Sequence, residues 1–154
     1  MTPTNTSLVK YIGAMFNVVP GGFMGALGGL LTDYGGNMVG LMHDLSNTGV
    51  FRMRLAPGTD RDVAADLVNR LVGDTVRSTD KAWAVDWFTG MKAAGISWGE
   101  ILYTAISALD QITTGPWAAA GDQLRVRTAY AVEASETWAA STTDLATLGD
   151  VYSY

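Results

Sequence analysis

The chain has 154 residues, of which 48% are hydrophobic and 16% are charged, and its formal net charge is −5. Because soluble domains have roughly 25% charged residues, this surface must consist largely of small uncharged residues or be covered by a partner. The absence of any run of Lys or Arg argues against a nucleic-acid partner, and the absence of Cys excludes disulfides and thiolate metal sites.

Apolar residues recur at helical spacing along the chain, and no alternating strand pattern of any length is present. The predicted helices of the first third cover residues 7–17, 23–34 and 37–46. Thr6 is the expected N-cap of the first helix, Pro20 with the glycines after it turns the chain, and Gly35 with Gly36 ends the second helix. The pattern predicts a Gly-rich helical hairpin.

Residues 47–58 have the composition of a loop, in which Phe51, Met53 and Leu55 form a short extended piece or pack singly. The later predicted helices cover residues 60–72, 78–95, 98–112, 117–140 and 142–152. Thr59 and Ser97 open two of them as capping-box residues, with the partner acids Asp62 and Glu100 at the third helical position. The sequence therefore predicts an all-α fold, a compact orthogonal bundle of seven or eight short helices.

Composition changes near residue 58. Residues 1–58 hold six of the seven Met and eleven of the eighteen Gly, whereas all five Trp lie in residues 59–154. We predict a single helical domain over residues 1–154, with a Gly/Met-rich hairpin region over 1–58 and a Trp-bearing helical bundle over 59–154.

Few residues have the character of catalytic or metal-binding groups. His43 is the only histidine, and Asp44 beside it cannot orient it from the same helical face, so we expect no Ser-His-Asp triad and no zinc site. Carboxylates occur together at Asp60/Asp62/Asp66 and at Glu133/Glu136, but sequence spacing alone does not indicate acid–base catalysis. Asp62, Asp66 and Arg70 share one helix face, which is typical of a solvated face with ion pairs. We expect no catalytic residue, no metal site and no cofactor. No calcium-loop pattern is present, although a calcium ion shared between subunits is left open.

Glycines spaced by four occur at Gly21, Gly25 and Gly29. This small-xxx-small spacing permits close packing of helix backbones, either inside one domain or between subunits. Adaptable Met side chains accompany the glycines. The predicted self-assembly interface consists of Phe23, Met24, Gly25, Gly29, Met38 and Met42.

Three Trp residues could form an aromatic surface. Trp83 and Trp87 lie one helical turn apart, and Trp98 opens the next helix. Stacking on sugar rings is one interpretation of Trp83, Trp87 and Trp98, and structural burial is the other.

The order of several short motifs resembles the N-terminal helical domain of bacterial S-layer-like and calcium-repeat (RTX-type) secreted surface proteins. The motifs are YIGAMFNVVPG at residues 11–21, GDTV at 73–76, KAWAVDW at 81–87, AGISWG at 94–99, ALD at 108–110, AVE at 131–133 and TDLATL at 143–148. The resemblance implies an extracellular location on the bacterial cell surface, type I export without a cleaved N-terminal signal, and in some members attachment to lipopolysaccharide. This sequence departs from the family in lacking calcium repeats and in the Gly/Met content of its second and third helices.

These observations predict a non-enzymatic structural surface protein that self-assembles into a layer, tube or filament, with itself as the main partner and no nucleic acid. Two alternatives stay open. One is a secreted, membrane-active glycine-zipper contact toxin that uses residues 11–42, and the other is an attachment module for lipopolysaccharide or another surface glycan.

Overall fold

The computed structural model describes residues 2–138, which contain eight α-helices and no strand. The helices are α1 (Pro3–Phe16), α2 (Met24–Asp33), α3 (Met38–Ser46), α4 (Gly49–Arg52), α5 (Asp60–Val72), α6 (Ser78–Ala93), α7 (Trp98–Asp110) and α8 (Ala118–Trp138), with a turn of 3-10 helix at Gly21–Phe23. The predicted all-α fold is confirmed. The helix predicted over residues 142–152 lies outside the described residues.

The chain divides into two compact units. Of the described residues, the terminal unit comprises residues 2–42 and 126–138, and the central unit comprises residues 43–125. These boundaries differ from the composition change at residue 58, and the single-domain organisation stays a prediction.

In the terminal unit, α1 begins earlier than the sequence pattern indicates. Thr2, not Thr6, is the N-cap, and its side chain accepts a hydrogen bond from the backbone N–H of Asn5 at 3.2 Å. Pro3 occupies the first helical position, where its missing N–H costs nothing and its fixed φ suits the helix. The helix ends at Asn17, which adopts the left-handed conformation at φ 56°.

The core of the terminal unit joins α1 to the C-terminal half of α8. Val9 and Val19 pack with Ala131 and Ala134 in one buried cluster. The small alanines allow α8 to lie close, and the Ser135 hydroxyl accepts a buried hydrogen bond from the backbone N–H of Gly21 at 3.2 Å. α2 belongs to the same unit and packs against α1.

The central unit is built on two capped helices. At α5 the Thr59 side chain accepts a hydrogen bond from the Asp62 N–H and the Asp62 carboxylate accepts one from the Thr59 N–H, and Ser97 with Glu100 repeats the arrangement at α7. Both predicted capping boxes are confirmed. Each holds two N–H donors that the helix itself leaves unpaired.

The start of α8 lies tightly against the end of α7. A Cβ at Gly121 would lie 2.5 Å from the carbonyl oxygen of Ile112 and 2.9 Å from that of Leu109. The Arg125 guanidinium donates to the carbonyls of Asp110 and Ile112 at 2.9 and 3.0 Å. Since a Cβ would not fit, glycine at position 121 is what permits this approach.

The segment expected to be a loop contains α4. Thr48 caps this single turn by accepting from the Phe51 N–H at 3.3 Å, and the Phe51 side chain is fully buried. Met53 is 84% exposed. The extended alternative for Phe51, Met53 and Leu55 is therefore wrong for Phe51, because it lies in a helical turn whose inner side chain anchors it.

Candidate interaction surfaces

One side of α2 is smooth, apolar and exposed. We define the α2 face as Gly25, Ala26, Gly29 and Thr32, which are all exposed and lie within one side of the helix. The Thr32 hydroxyl donates to the carbonyl of Gly28 at 3.0 Å, so its polar group is used by the helix itself. These four residues carry no charge, and the exposed Asp33 lies on the same side at the C-terminal end of the helix.

The glycines of the α2 face are not explained by folding within the described chain. No described atom lies within 4 Å of a Cβ built at Gly25 or Gly29, and neither residue has a positive φ. Glycine in a helix costs about 0.5–1 kcal/mol relative to alanine. Among the described residues, therefore, no neighbour requires a glycine at these two positions.

The other predicted interface residues lie elsewhere. Met38 and Met42 are buried, Met42 completely, because the apolar stripe of α3 faces the protein interior. Their assignment to an interface is corrected accordingly, as they are core residues. Phe23 and Met24 are half-buried, and Met24 packs against the buried cluster around Val9.

An apolar groove of about 300 Å³ lies in the central unit between α5, α6 and α7. Trp83, Trp87 and Trp117 line it, together with aliphatic side chains. Trp83 is 61% exposed and meets Trp117 edge-to-face at 6.1 Å between ring centroids. We name this the aromatic groove. Apart from the indole N–H groups, the Thr104 hydroxyl is the polar side-chain group of its lining.

The sequence identified only part of the aromatic groove. Trp98 does not line it, because this residue is buried at the start of α7 with the Lys92 ammonium 5.2 Å from its ring centroid. Its assignment as a glycan-facing aromatic is corrected to a core position. Trp117 meets Trp83 only through tertiary packing, so the sequence did not indicate that it lines the groove. Its only local signal is Pro116 directly before it, which marks the approach to a helix start.

His43 contacts the capping box of α7, which sequence reasoning missed. Its Nδ1 lies 2.8 Å from Ser97 Oγ and 3.5 Å from Glu100 Oε2. Glu100 accepts from the Ser97 N–H and hydroxyl, both at 3.0 Å. A triad requires the acid on the second ring nitrogen, whereas here Glu100 lies beside the same nitrogen as Ser97. The arrangement ties α3 to the start of α7.

The two capping-box acids are held in their charged form. The backbone N–H of Ser97 is the main cause that lowers the pKa of Glu100, with further lowering by the Ser97 hydroxyl and by His43. The backbone N–H of Thr59 similarly lowers the pKa of Asp62. Both acids are therefore occupied in stabilising helix starts.

Other acidic groups are also engaged. Asp66 pairs with Arg70 at 2.7 Å, as i, i+4 spacing predicts. Residues 2–138 show no group of three or more acidic or histidine side chains that could hold a metal ion. An inter-subunit calcium ion stays a prediction.

No helix in the described part of the chain is both long enough and apolar enough to cross a membrane. The sequence matches no protein-family model, no curated protein and no solved structure. The resemblance to S-layer-like and calcium-repeat surface proteins therefore stays a prediction.

Proposed function

We propose that this chain is a non-enzymatic structural subunit of the bacterial cell surface that self-associates through the α2 face into a layer, tube or filament. The observation that carries the proposal is that no described atom lies within 4 Å of a Cβ built at Gly25 or Gly29. The extracellular location is taken from the resemblance alone.

The helical glycines have two different environments. At Gly121 the neighbouring carbonyls leave no room for a Cβ, so the helical cost of glycine is offset within the chain. At Gly25 and Gly29 no described neighbour uses the space. A helix from a second copy could approach such a face closely, because small residues let helix backbones come together.

The surface composition supports the same proposal. Charged residues make up 16% of the chain, and the only charge on this side of α2 among the described residues is Asp33 at the end of the helix. The glycine and alanine residues of the α2 face expose apolar surface to water, and burying apolar surface contributes about 25 cal/mol per Å². Contacts that repeat through a lattice multiply a modest patch into a stable assembly.

The test is the double variant Gly25→Leu with Gly29→Leu, measured by sedimentation, electron microscopy and far-UV circular dichroism. We expect retained helicity and lost assembly, since two leucines keep a second helix away. Gly90→Leu is the matched control, because Gly90 is also a helical glycine with no described atom within 4 Å of its Cβ position.

Unchanged assembly of the double variant, or an equal loss in the Gly90 control, would remove the α2 face from the proposal. A wild-type chain that stays monomeric at all concentrations would remove self-association itself.

A second candidate function is an attachment module that uses the aromatic groove. Trp83 and Trp87 lie together in an open groove with Trp117, which is the observation in its favour. The scarcity of polar groups in the lining favours an apolar ligand portion, such as an acyl chain, over sugar hydroxyls. Saturable quenching of Trp fluorescence by lipopolysaccharide, abolished in Trp83→Ala, would support it.

A further inference from the structure

The short helix α4 presents apolar and basic side chains together at the surface. We define the α4 tip as Val50, Arg52, Met53 and Arg54. Val50 is 42% exposed and Met53 is 84% exposed. Their i, i+3 spacing places these two apolar side chains on the same side of the turn.

The α4 tip is held on a firm base. Phe51 points inward and is fully buried, while Thr48 caps the turn. On the other side, the Arg70 guanidinium donates to the carbonyl of Arg54 and pairs with Asp66. The exposed side chains therefore project from an anchored segment. Phe51 and the Thr48 cap hold this segment in place, and the exposed Val50 and Met53 side chains are not part of that anchor.

The two arginines of the α4 tip differ from the other basic residues of the central unit. Neither Arg52 nor Arg54 has a side-chain partner among the described residues. The other Lys and Arg side chains are engaged: Arg61 with Asp86, Arg70 with Asp66, Arg77 with Asp80, Lys81 with Asp74, Arg125 with Asp122, and Lys92 over the ring of Trp98. No acidic residue lies between Asp44 and Asp60 in the sequence. Arg52 and Arg54 therefore form a local positive site in a chain of net charge −5, and their guanidinium N–H groups donate to no described side chain.

We propose that the α4 tip docks on the surface of a bilayer that contains anionic phospholipids. Guanidinium groups bind phosphate oxygens well, which gives Arg52 and Arg54 the partners they lack. Val50 and Met53 would enter the boundary between headgroups and acyl chains. Apolar side chains that enter a bilayer need no matching pocket, whereas a protein partner would have to present a concave acidic one.

This inference does not depend on self-association, because it uses residues outside the α2 face. It also differs from a membrane-spanning or pore-forming role, since only the α4 tip enters the interface. Each arginine near an anionic surface should change the partition coefficient about fivefold at low salt. The attraction should weaken as salt rises, because Arg52 is exposed and Arg54 is only partly buried.

The experiment uses the absence of Cys from the chain, which allows a single label. Met53→Cys is coupled to a polarity-sensitive fluorophore, and Ala119→Cys, exposed at the start of α8, carries the same label as control. Each protein is mixed with vesicles of phosphatidylcholine alone or with phosphatidylglycerol added. We expect a blue shift at position 53 only with the anionic vesicles, and no comparable shift at position 119.

The charge requirement is tested in the labelled Met53→Cys protein. Arg52→Gln with Arg54→Gln should lower partitioning about 25-fold at low salt. Arg61→Gln is the control, because Arg61 is exposed but already pairs with Asp86 at 2.7 Å, and it should leave partitioning nearly unchanged.

Four results would overturn the proposal: no shift with any vesicle, an equal shift with phosphatidylcholine alone, an equal shift at position 119, or an undiminished shift in the double Gln variant. A shift that grows with protein concentration without vesicles would make the α4 tip a contact between copies instead. Release of a dye trapped inside the vesicles would indicate membrane permeation in place of surface docking.

Discussion

Replacing glycine by alanine should change stability in opposite directions at Gly121 and Gly29. At Gly29 the new methyl group meets no described atom, so the helix gains about 0.5–1 kcal/mol from reduced backbone freedom. At Gly121 the methyl carbon would lie 2.5 Å from the Ile112 carbonyl oxygen. α8 must then move away from α7, which also strains the two hydrogen bonds from Arg125 to the end of α7.

The net effect at Gly121 follows from two opposing magnitudes. Overpacking costs about 1–3 kcal/mol, and contact with two backbone oxygens places Gly121→Ala at about 2–3 kcal/mol, of which the helical preference for alanine returns about 1 kcal/mol. We therefore expect a loss of about 1–2 kcal/mol, or a fall in Tm of about 2–8 °C, against a rise of about 1–4 °C for Gly29→Ala. Thermal unfolding followed by far-UV circular dichroism measures both. A Gly121→Ala variant as stable as the wild type would refute the close approach of α8 to α7.

Three further predictions concern the central unit. Ser97→Ala should lower the free energy of unfolding by about 1 kcal/mol in denaturant titrations, because α7 loses its N-cap. Folding lowers the pKa of Glu100, so the contribution of this carboxylate to the free energy of unfolding is fully present above the ordinary glutamate pKa of about 4.3 and is lost as pH falls through the lower folded value. Glu100→Gln should therefore make stability less dependent on pH on the acid side. An unchanged pH profile of stability would count against this. Ile106→Ala should lower the free energy of unfolding by about 2–5 kcal/mol because Ile106 is fully buried. Asp86→Asn should lower it by less than about 1 kcal/mol because the ion pair of Asp86 with Arg61 is exposed. A similar loss for the two variants would contradict the described burial.

Local chemistry in the sequence determined where most helices lie. Thr59 and Ser97 mark helix starts because their side chains satisfy nearby backbone N–H groups, which requires only residues three positions apart. Gly35 and Gly73 follow helices and adopt positive φ, as glycines after helix ends commonly do. Thr2 was missed as the first cap because the apolar stripe of α1 begins several residues after it.

Tertiary structure alone decided what the faces of these helices do. Met42 and Gly29 belong to similar Gly/Met-rich stretches, yet Met42 is in the core and no described atom lies near a Cβ at Gly29, because burial depends on which neighbour lies opposite. His43 and Ser97 are 54 positions apart in the sequence and meet at 2.8 Å. Helical spacing places residues on a common side of a helix, but it carries no information about which side the rest of the chain covers.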